Sequence, residues 1–239
     1  MRRVVWMLRD SWVEAERHLR IIPRNIELLI FAAIQPIMFL VLFVYVFGGS
    51  IVIPGFDDYD QFLMPGIFAQ TLVFGSAFTG IGLADDLQKG LVDRLRSLPM
   101  SRSAMIVVAL AIGFRFTGGA WNAVVATVLL VLFSYALSWV QAIIGLSVTS
   151  VEAANSAGFI WMFPLTFVSS AFVDPSTMPG WLRPVADANP FTLVTDAARA
   201  LYNGNPVGND AWWSLAWSVG LIAVFSALAT RKFSRSTSG

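Results

Sequence analysis

Hydrophobic positions in this chain come in long unbroken blocks, and charged positions are confined to the short stretches between them. Four blocks without a charged residue, 28–47, 62–84, 120–148 and 153–173, are each long enough to cross a hydrocarbon layer of about 30 Å as a helix. A fifth, 211–229, is opened by Asp210 as an N-cap and stopped by Arg231 and Lys232. Its Trp212, Trp213 and Trp217 suit a membrane interface. A sixth block, 104–114, is short. Taken as a helix over 101–117 it rises roughly 25 Å, which spans with local thinning and with Arg115 snorkelling to the headgroups.

The basic residues orient these blocks. Six Arg precede residue 28, four basic residues fall in 85–103 and three follow residue 229, whereas 48–61 has none and 174–210 has two. The positive-inside rule therefore predicts cytoplasmic N- and C-termini and a cytoplasmic 85–103 loop. Two ends on one side require an even number of crossings, so the short block has to cross as well. The predicted fold is all-α: a polytopic protein of the plasma membrane with six transmembrane helices, the third one short. It forms a single transmembrane domain over 1–239, with a cytoplasmic amphipathic helix in 1–27, spans over 28–229 and a tail at 230–239.

The polar stretches carry their own patterns. Val5, Leu8, Trp12, Ala15 and Leu19 recur at helical spacing until Pro23, which predicts an N-terminal amphipathic helix lying in the membrane interface. In 85–98, Leu87, Leu91, Leu95 and Leu98 share one helical face while Lys89, Asp93, Arg94 and Arg96 take the others. Asp85 and Asp86 stand where the helix dipole favours negative charge, and Pro99 ends the pattern. Such a stripe fits a groove on a partner protein or the helix's own membrane domain, and the pattern alone favours neither. Thr149 through Glu152 fits a capping box, with Thr149 as N-cap and Glu152 three positions on, so Glu152 reads as structural before it reads as a second partner contact. Outside, Pro175, Pro179, Pro184 and Pro190 cut 174–210 into short pieces. Asn189 and Pro190 make an N-cap and first-turn pair for a helix ending near Asn203 and Gly204. Its stripe of Phe191, Val194, Ala197 and Leu201 either dips into the outer leaflet or covers the ends of the spans.

Composition sharpens the class and narrows the chemistry. Hydrophobic residues make up 56% and charged residues 13%, with a mean hydropathy of +0.69, against about a quarter charged in an ordinary soluble domain. There is no cysteine and one histidine, His18, so no thiol chemistry, imidazole relay or zinc site is expected. Neither of the two lysines, Lys89 and Lys232, belongs to a GxxxxGK loop, so the chain is not expected to hold ATP, to bind a cofactor or to act as an enzyme. A net charge of +1 gives no support to a nucleic-acid partner. The centres of the spans hold no ionisable residue, only Gln35, Gln70, Asn122, Gln141, Asn155 and scattered Ser and Thr, expected to bond between helices. Ion-coupled transport, an intramembrane hydrolase and a charged selectivity filter therefore lack their residues, and any energy has to come from another chain.

An ordered set of short motifs goes further. Ile34-Gln35-Pro36 and Phe47-Gly48-Gly49, Leu63-Met64-Pro65-Gly66-Ile67, and Gly80-Ile81-Gly82-Leu83-Ala84-Asp85-Asp86 come first. Lys89-Gly90, Asp93-Arg94, Ser97-Leu98-Pro99, Gly113-Phe114-Arg115-Phe116 and Phe163-Pro164-Leu165-Thr166-Phe167 follow. Met178-Pro179-Gly180-Trp181-Leu182, Asn189-Pro190, Asp196 and Arg199-Ala200-Leu201 complete the set. Together it resembles the ABC type-2 exporter permeases of the daunorubicin-resistance kind, over nearly the whole chain. The resemblance implies a permease subunit with six membrane helices, working as a dimer of permease copies with a separate ABC ATPase that takes ATP and Mg, and moving a hydrophobic drug, antibiotic or lipid outward through the bilayer. It implies an ATPase-coupling helix built on Asp86, Leu87, Lys89, Gly90, Leu91, Asp93, Arg94, Leu95 and Leu98, with Glu152 as a second cytoplasmic contact. It implies an outer gate segment carrying Trp181, Asn189, Pro190, Asp196 and Arg199. One departure stands out: family members usually carry roughly a further helix between the Ser-Leu-Pro and Gly-Phe-Arg-Phe motifs, where this chain runs from Ser103 to Gly113 in a few residues. That shortening motivates a second expectation, a membrane scaffold that binds partners without transporting.

Overall fold

The computed structural model describes residues 26–48, 51, 53, 56, 59–88 and 117–236, and among these all regular structure is helical. Helix α1, Ile26–Val41, passes into a π-helical turn, Leu42–Phe47. It is followed by α2, Tyr59–Gln88, α3, Gly119–Gly145, and α4, Val151–Phe167. A 3₁₀ turn at Pro175–Thr177 leads to α5, Arg183–Ala188, α6, Pro190–Asn203, and α7, Asp210–Ser236. Among the described residues, the stretches Tyr59–Asp85, Gly119–Gly145 and Asp210–Phe233 are long and apolar enough to cross a membrane, and Ile34–Phe47 forms a shorter apolar helix. Several such helices, with no strand among the described residues, fit a polytopic membrane protein. The N-terminal amphipathic helix and the short third block predicted from sequence lie outside the described residues.

Helices α2 and α3 form the centre of the bundle and make its most extensive pairing. Two glycines allow it: a Cβ on Gly80 would stand 2.6 Å from the Gln141 carbonyl oxygen, and Gly145 meets the backbone of Gly80 in return. Small residues at a crossing let two backbones approach where lipid gives no hydrophobic drive for association. Ser134 Oγ donates to the Leu72 carbonyl across the same contact at 2.5 Å. Of the amides expected to bond between helices, Gln141 reaches Met162 of α4, whereas Gln70 is buried with no partner for Nε2 and Asn155 is exposed. The buried core, including Leu63, Met64, Ile67, Phe133, Met162, Phe191 and Val194, joins α2, α3, α4 and α6.

Helix ends depart from the charge-based boundaries in both directions. The second span was expected to end at Ala84 and the last at Ala229, yet α2 runs on to Gln88 and α7 to Ser236. Loss of hydrophobicity marks the edge of the lipid, not the end of a hydrogen-bond ladder. Asp210 is the first residue of α7 and not its cap, since the Trp213 N–H donates to the Asn209 carbonyl at 3.0 Å. The predicted span 153–173 is shorter in the structure: α4 stops at Phe167, about 25 Å from its start. Pro164 lies in its last turn, and the chain then folds inward through the buried Ser169, Ser170, Ala171 and Phe172. The cap of α4 is also one residue later than expected. Ser150 Oγ accepts from the Ala153 N–H at 3.0 Å, which leaves Thr149 outside and Glu152 exposed on the first turn.

Candidate functional site: polar clusters at the two ends of the bundle

Two clusters of polar contacts sit at opposite ends of the bundle. At one end Gln88 Nε2 donates to the Thr149 carbonyl at 2.8 Å, and Lys232 Nζ donates to Ser147 Oγ at 2.7 Å. The end of α2, the α3–α4 turn and the end of α7 thus share one side. At the other end the Gly118 N–H donates to the Tyr202 carbonyl at 2.9 Å, and Asn203 approaches the Gln61 carbonyl at 3.5 Å. Tyr59 hydroxyl donates there to the Phe172 carbonyl at 2.8 Å.

This second end is built around α6. Its apolar stripe, Phe191, Val194, Ala197 and Leu201, is buried against the spans, so it covers their ends. Gly204 closes the helix in the left-handed conformation, with φ of +73°, a backbone geometry that suits glycine. At the start of α6, Asn189 does three things at once. Its Oδ1 accepts from the Phe191 N–H at 2.9 Å, and its Nδ2 donates to the carbonyls of Leu165 at 2.7 Å and Val168 at 2.6 Å. One side chain therefore caps the start of α6 and the end of α4. This explains how α4 can stop inside the protein: its terminal carbonyls have a partner other than water.

On the next turns of α6, Asp196 and Arg199 form an i,i+3 ion pair. Arg199 is 6% exposed, although it lies in what the sequence presents as an outer loop. Its Nε donates to the Phe62 carbonyl at 2.8 Å and its Nη2 to the Ser170 carbonyl at 2.7 Å, while Nη1 donates to Asp196. The guanidinium carbon stands 3.8 Å from the centre of the Phe62 ring. Ser170 Oγ also donates to Asp196, at 2.6 Å, and the Ser170 N–H donates to Thr192 Oγ1 at 3.2 Å. Burial pulls the Arg199 pKa below the ordinary guanidinium value, and the Asp196 charge beside it acts in the opposite direction. A guanidinium whose fork is matched by two carbonyls and a carboxylate remains a cation.

The structure brings three of the predicted outer residues, Asn189, Asp196 and Arg199, onto one helix with Pro190 at its first position. Trp181 is separate and 75% exposed. Asp86 and Leu87 belong to the last turn of α2, while Lys89, Gly90, Leu91, Asp93, Arg94, Leu95 and Leu98 lie outside the described residues. Phe62, Ser170 and Thr192 were not singled out from sequence. Their contributions are backbone groups and small hydroxyls supplied from distant positions, which leave no local pattern. The usable signal was the Asp196/Arg199 spacing beside an apolar stripe, since a pair so placed flanks whatever that stripe covers.

The family model described as ABC-2 type transporter matches residues 11–114 and 104–203. The chain is 35% identical to the daunorubicin resistance ABC transporter permease protein DrrB1 of Streptomyces coeruleorubidus, over 86% of this chain and 79% of that one. It is 23% identical to the probable doxorubicin resistance ABC transporter permease protein DrrC of Mycobacterium tuberculosis, over 81% and 76%. The putative transport permease ycf38 of Cyanophora paradoxa is 25% identical over 73% and 68%. The DrrB1 alignment runs over 224 positions, but 86% of 239 residues is about 206, so about 18 positions have no residue here. The two family matches overlap at 104–114, within the short third block. With a matching family model over most of its length and bundle helices suited to a bilayer, the chain belongs to the ABC-2 type transporter family as a membrane permease.

Proposed function

We propose that this chain is the membrane subunit of an exporter that moves a hydrophobic compound outward on ATP hydrolysed by a separate ABC ATPase. The observation that carries this is the permease match over nearly the whole chain, joined to spans whose centres lack Asp, Glu, Lys, Arg and His. Without intramembrane charge there is no proton or ion relay to drive transport, so the energy enters through a partner. ATP and Mg belong to that partner. The daunorubicin- and doxorubicin-resistance names of two relatives support a drug or antibiotic of that kind as the cargo class.

Six crossings fit the geometry. Gln88 is tied to the end of the bundle that holds Thr149, and Thr117 Oγ1 donates at 3.1 Å to the Asn203 carbonyl, beside Gln61 at the opposite end. The chain between Gln88 and Thr117 has to connect those two ends, which supports a third span despite its shortness. With the basic clusters inside, the Gln88 end is cytoplasmic and the α6 end faces out. The 86–98 segment, continuing from α2, is the proposed ATPase-docking helix, and exposed Glu152 beside the α3–α4 turn is a second contact on the same side. A second permease copy completes the proposed transporter, at the plasma membrane.

The shortened third block favours one rival, a scaffold that binds partners and moves nothing. Purification in mild detergent with the products of neighbouring genes separates part of this. A P-loop ATPase is expected to co-purify with the wild-type chain and to be lost with Leu91→Asp/Leu95→Asp. An ATPase retained by the double variant contradicts the docking assignment, and no ATPase with either chain contradicts the exporter.

A further inference from the structure

We propose that Arg199 fastens three elements, the first turn of α2, the 168–173 turn and α6, into one rigid outer cap, so that outward opening carries this cap as a unit and does not swing α6 away from α2. The inference rests on the exporter reading for the meaning of opening, but its structural part stands on the geometry. Arg199 belongs to α6, yet two of its donors are spent on main-chain carbonyls of other elements, Phe62 and Ser170. A third goes to Asp196, which is itself held by Ser170 Oγ. The face of the guanidinium rests on the Phe62 ring. Charge-assisted bonds are the stronger class, and here they are enclosed.

Separation of α6 from α2 would break the charge-assisted bonds that hold a buried cation to two carbonyls at once, a more costly move than sliding one apolar surface over another. Contacts on either side of the cluster point the same way. Asn189 ties α6 to the end of α4, Thr192 ties it to the 168–173 turn, and Tyr59 ties the start of α2 to Phe172. At the far end of α6, Asn203 lies against Gln61 of α2. A gate hinged within the chain needs a weak seam between α6 and the spans, and this seam is crossed by side-chain bonds of Asn189, Arg199 and Asn203. The exit of a cargo is therefore placed beside the cap and not through it.

The absence of cysteine makes a direct test possible. A Gln61→Cys/Asn203→Cys pair introduces one site between α2 and α6, outside the Arg199 cluster. The pair is joined with a short bifunctional methanethiosulfonate, reversible by reduction, in the complex with its ATPase: without nucleotide, with ATP, and with ATP and vanadate. The expected result is the same cross-linking yield in all three states, and ATP-driven export by the joined protein within about twofold of the reduced one. A yield that falls severalfold in any state, or export lost on joining and restored on reduction, overturns the rigid cap. In the same background Arg199→Gln is expected to lower the yield at rest, and an unchanged yield removes Arg199 from the role. Should no ATPase be recovered or no export be seen before cross-linking, the exporter reading fails by itself, and the resting yields with Arg199 and Arg199→Gln still decide whether this side chain does the fastening.

Discussion

At the scale of single residues, Asn189 and Arg199 matter more than their neighbours because each serves main-chain groups of other elements from a single side chain. Asn189→Ala removes an N-cap and leaves the Leu165 and Val168 carbonyls without their donor. A cost of about 3 kcal/mol is expected, read as a lower thermal unfolding midpoint of the detergent-solubilised protein. Asn189→Ser keeps a capping oxygen without the reach to α4 and should recover about 1 kcal/mol of that loss. Equal midpoints for the two variants would show that the capping oxygen contributes nothing, and a serine variant as stable as the wild type would show that the α4 carbonyls gain nothing from this side chain. Ser150→Ala is expected to cost about 1 kcal/mol and Thr149→Ala close to nothing, since the cap of α4 is Ser150. The reverse order would restore the cap that the capping-box spacing had indicated.

Elements show what a sequence can and cannot convey here. The charge-free windows located the apolar cores of α2, α3 and α7, because hydrocarbon solvation acts locally on each side chain. They misplaced the ends at Gln88, Phe167 and Ser236, because a helix ends where its carbonyls find other partners. For α4 that partner is Asn189 Nδ2, more than twenty residues away. The Asn189-Pro190 start and the Gly204 stop of α6 were legible since caps are local chemistry, and its apolar stripe correctly announced a buried face. That Arg199 is buried was not legible, because its acceptors at Phe62 and Ser170 are set by tertiary packing. The α2–α3 crossing depends likewise on glycines whose role shows only in the packed pair. Gly80→Leu drives a side chain into the α3 backbone and is expected to destabilise by about 3 kcal/mol or more. Gly158→Ala meets only the movable end of Gln141 and should cost distinctly less on the same thermal assay.

For the whole molecule, sidedness comes before mechanism. Ala120 and Thr149 are both exposed and mark opposite ends of the bundle, so single cysteines there report topology on a background without thiols. Ala120→Cys is expected to react in intact cells with a membrane-impermeant maleimide, and Thr149→Cys only after permeabilisation. The opposite pattern would invert the protein, and labelling of both from outside would break the six-span arrangement. Given that topology, the central claim is that a chain with no Asp, Glu, Lys, Arg or His at the centres of its spans exports by borrowing ATP hydrolysis through its 86–98 segment. The most direct measurement is ATP-dependent accumulation of daunorubicin, followed by its fluorescence, in inverted membrane vesicles holding the chain and its ATPase. The account predicts accumulation that needs ATP, survives collapse of the proton gradient, and is abolished by Leu91→Asp/Leu95→Asp. Accumulation that vanishes with the proton gradient, or that persists undiminished in the double variant, would contradict it.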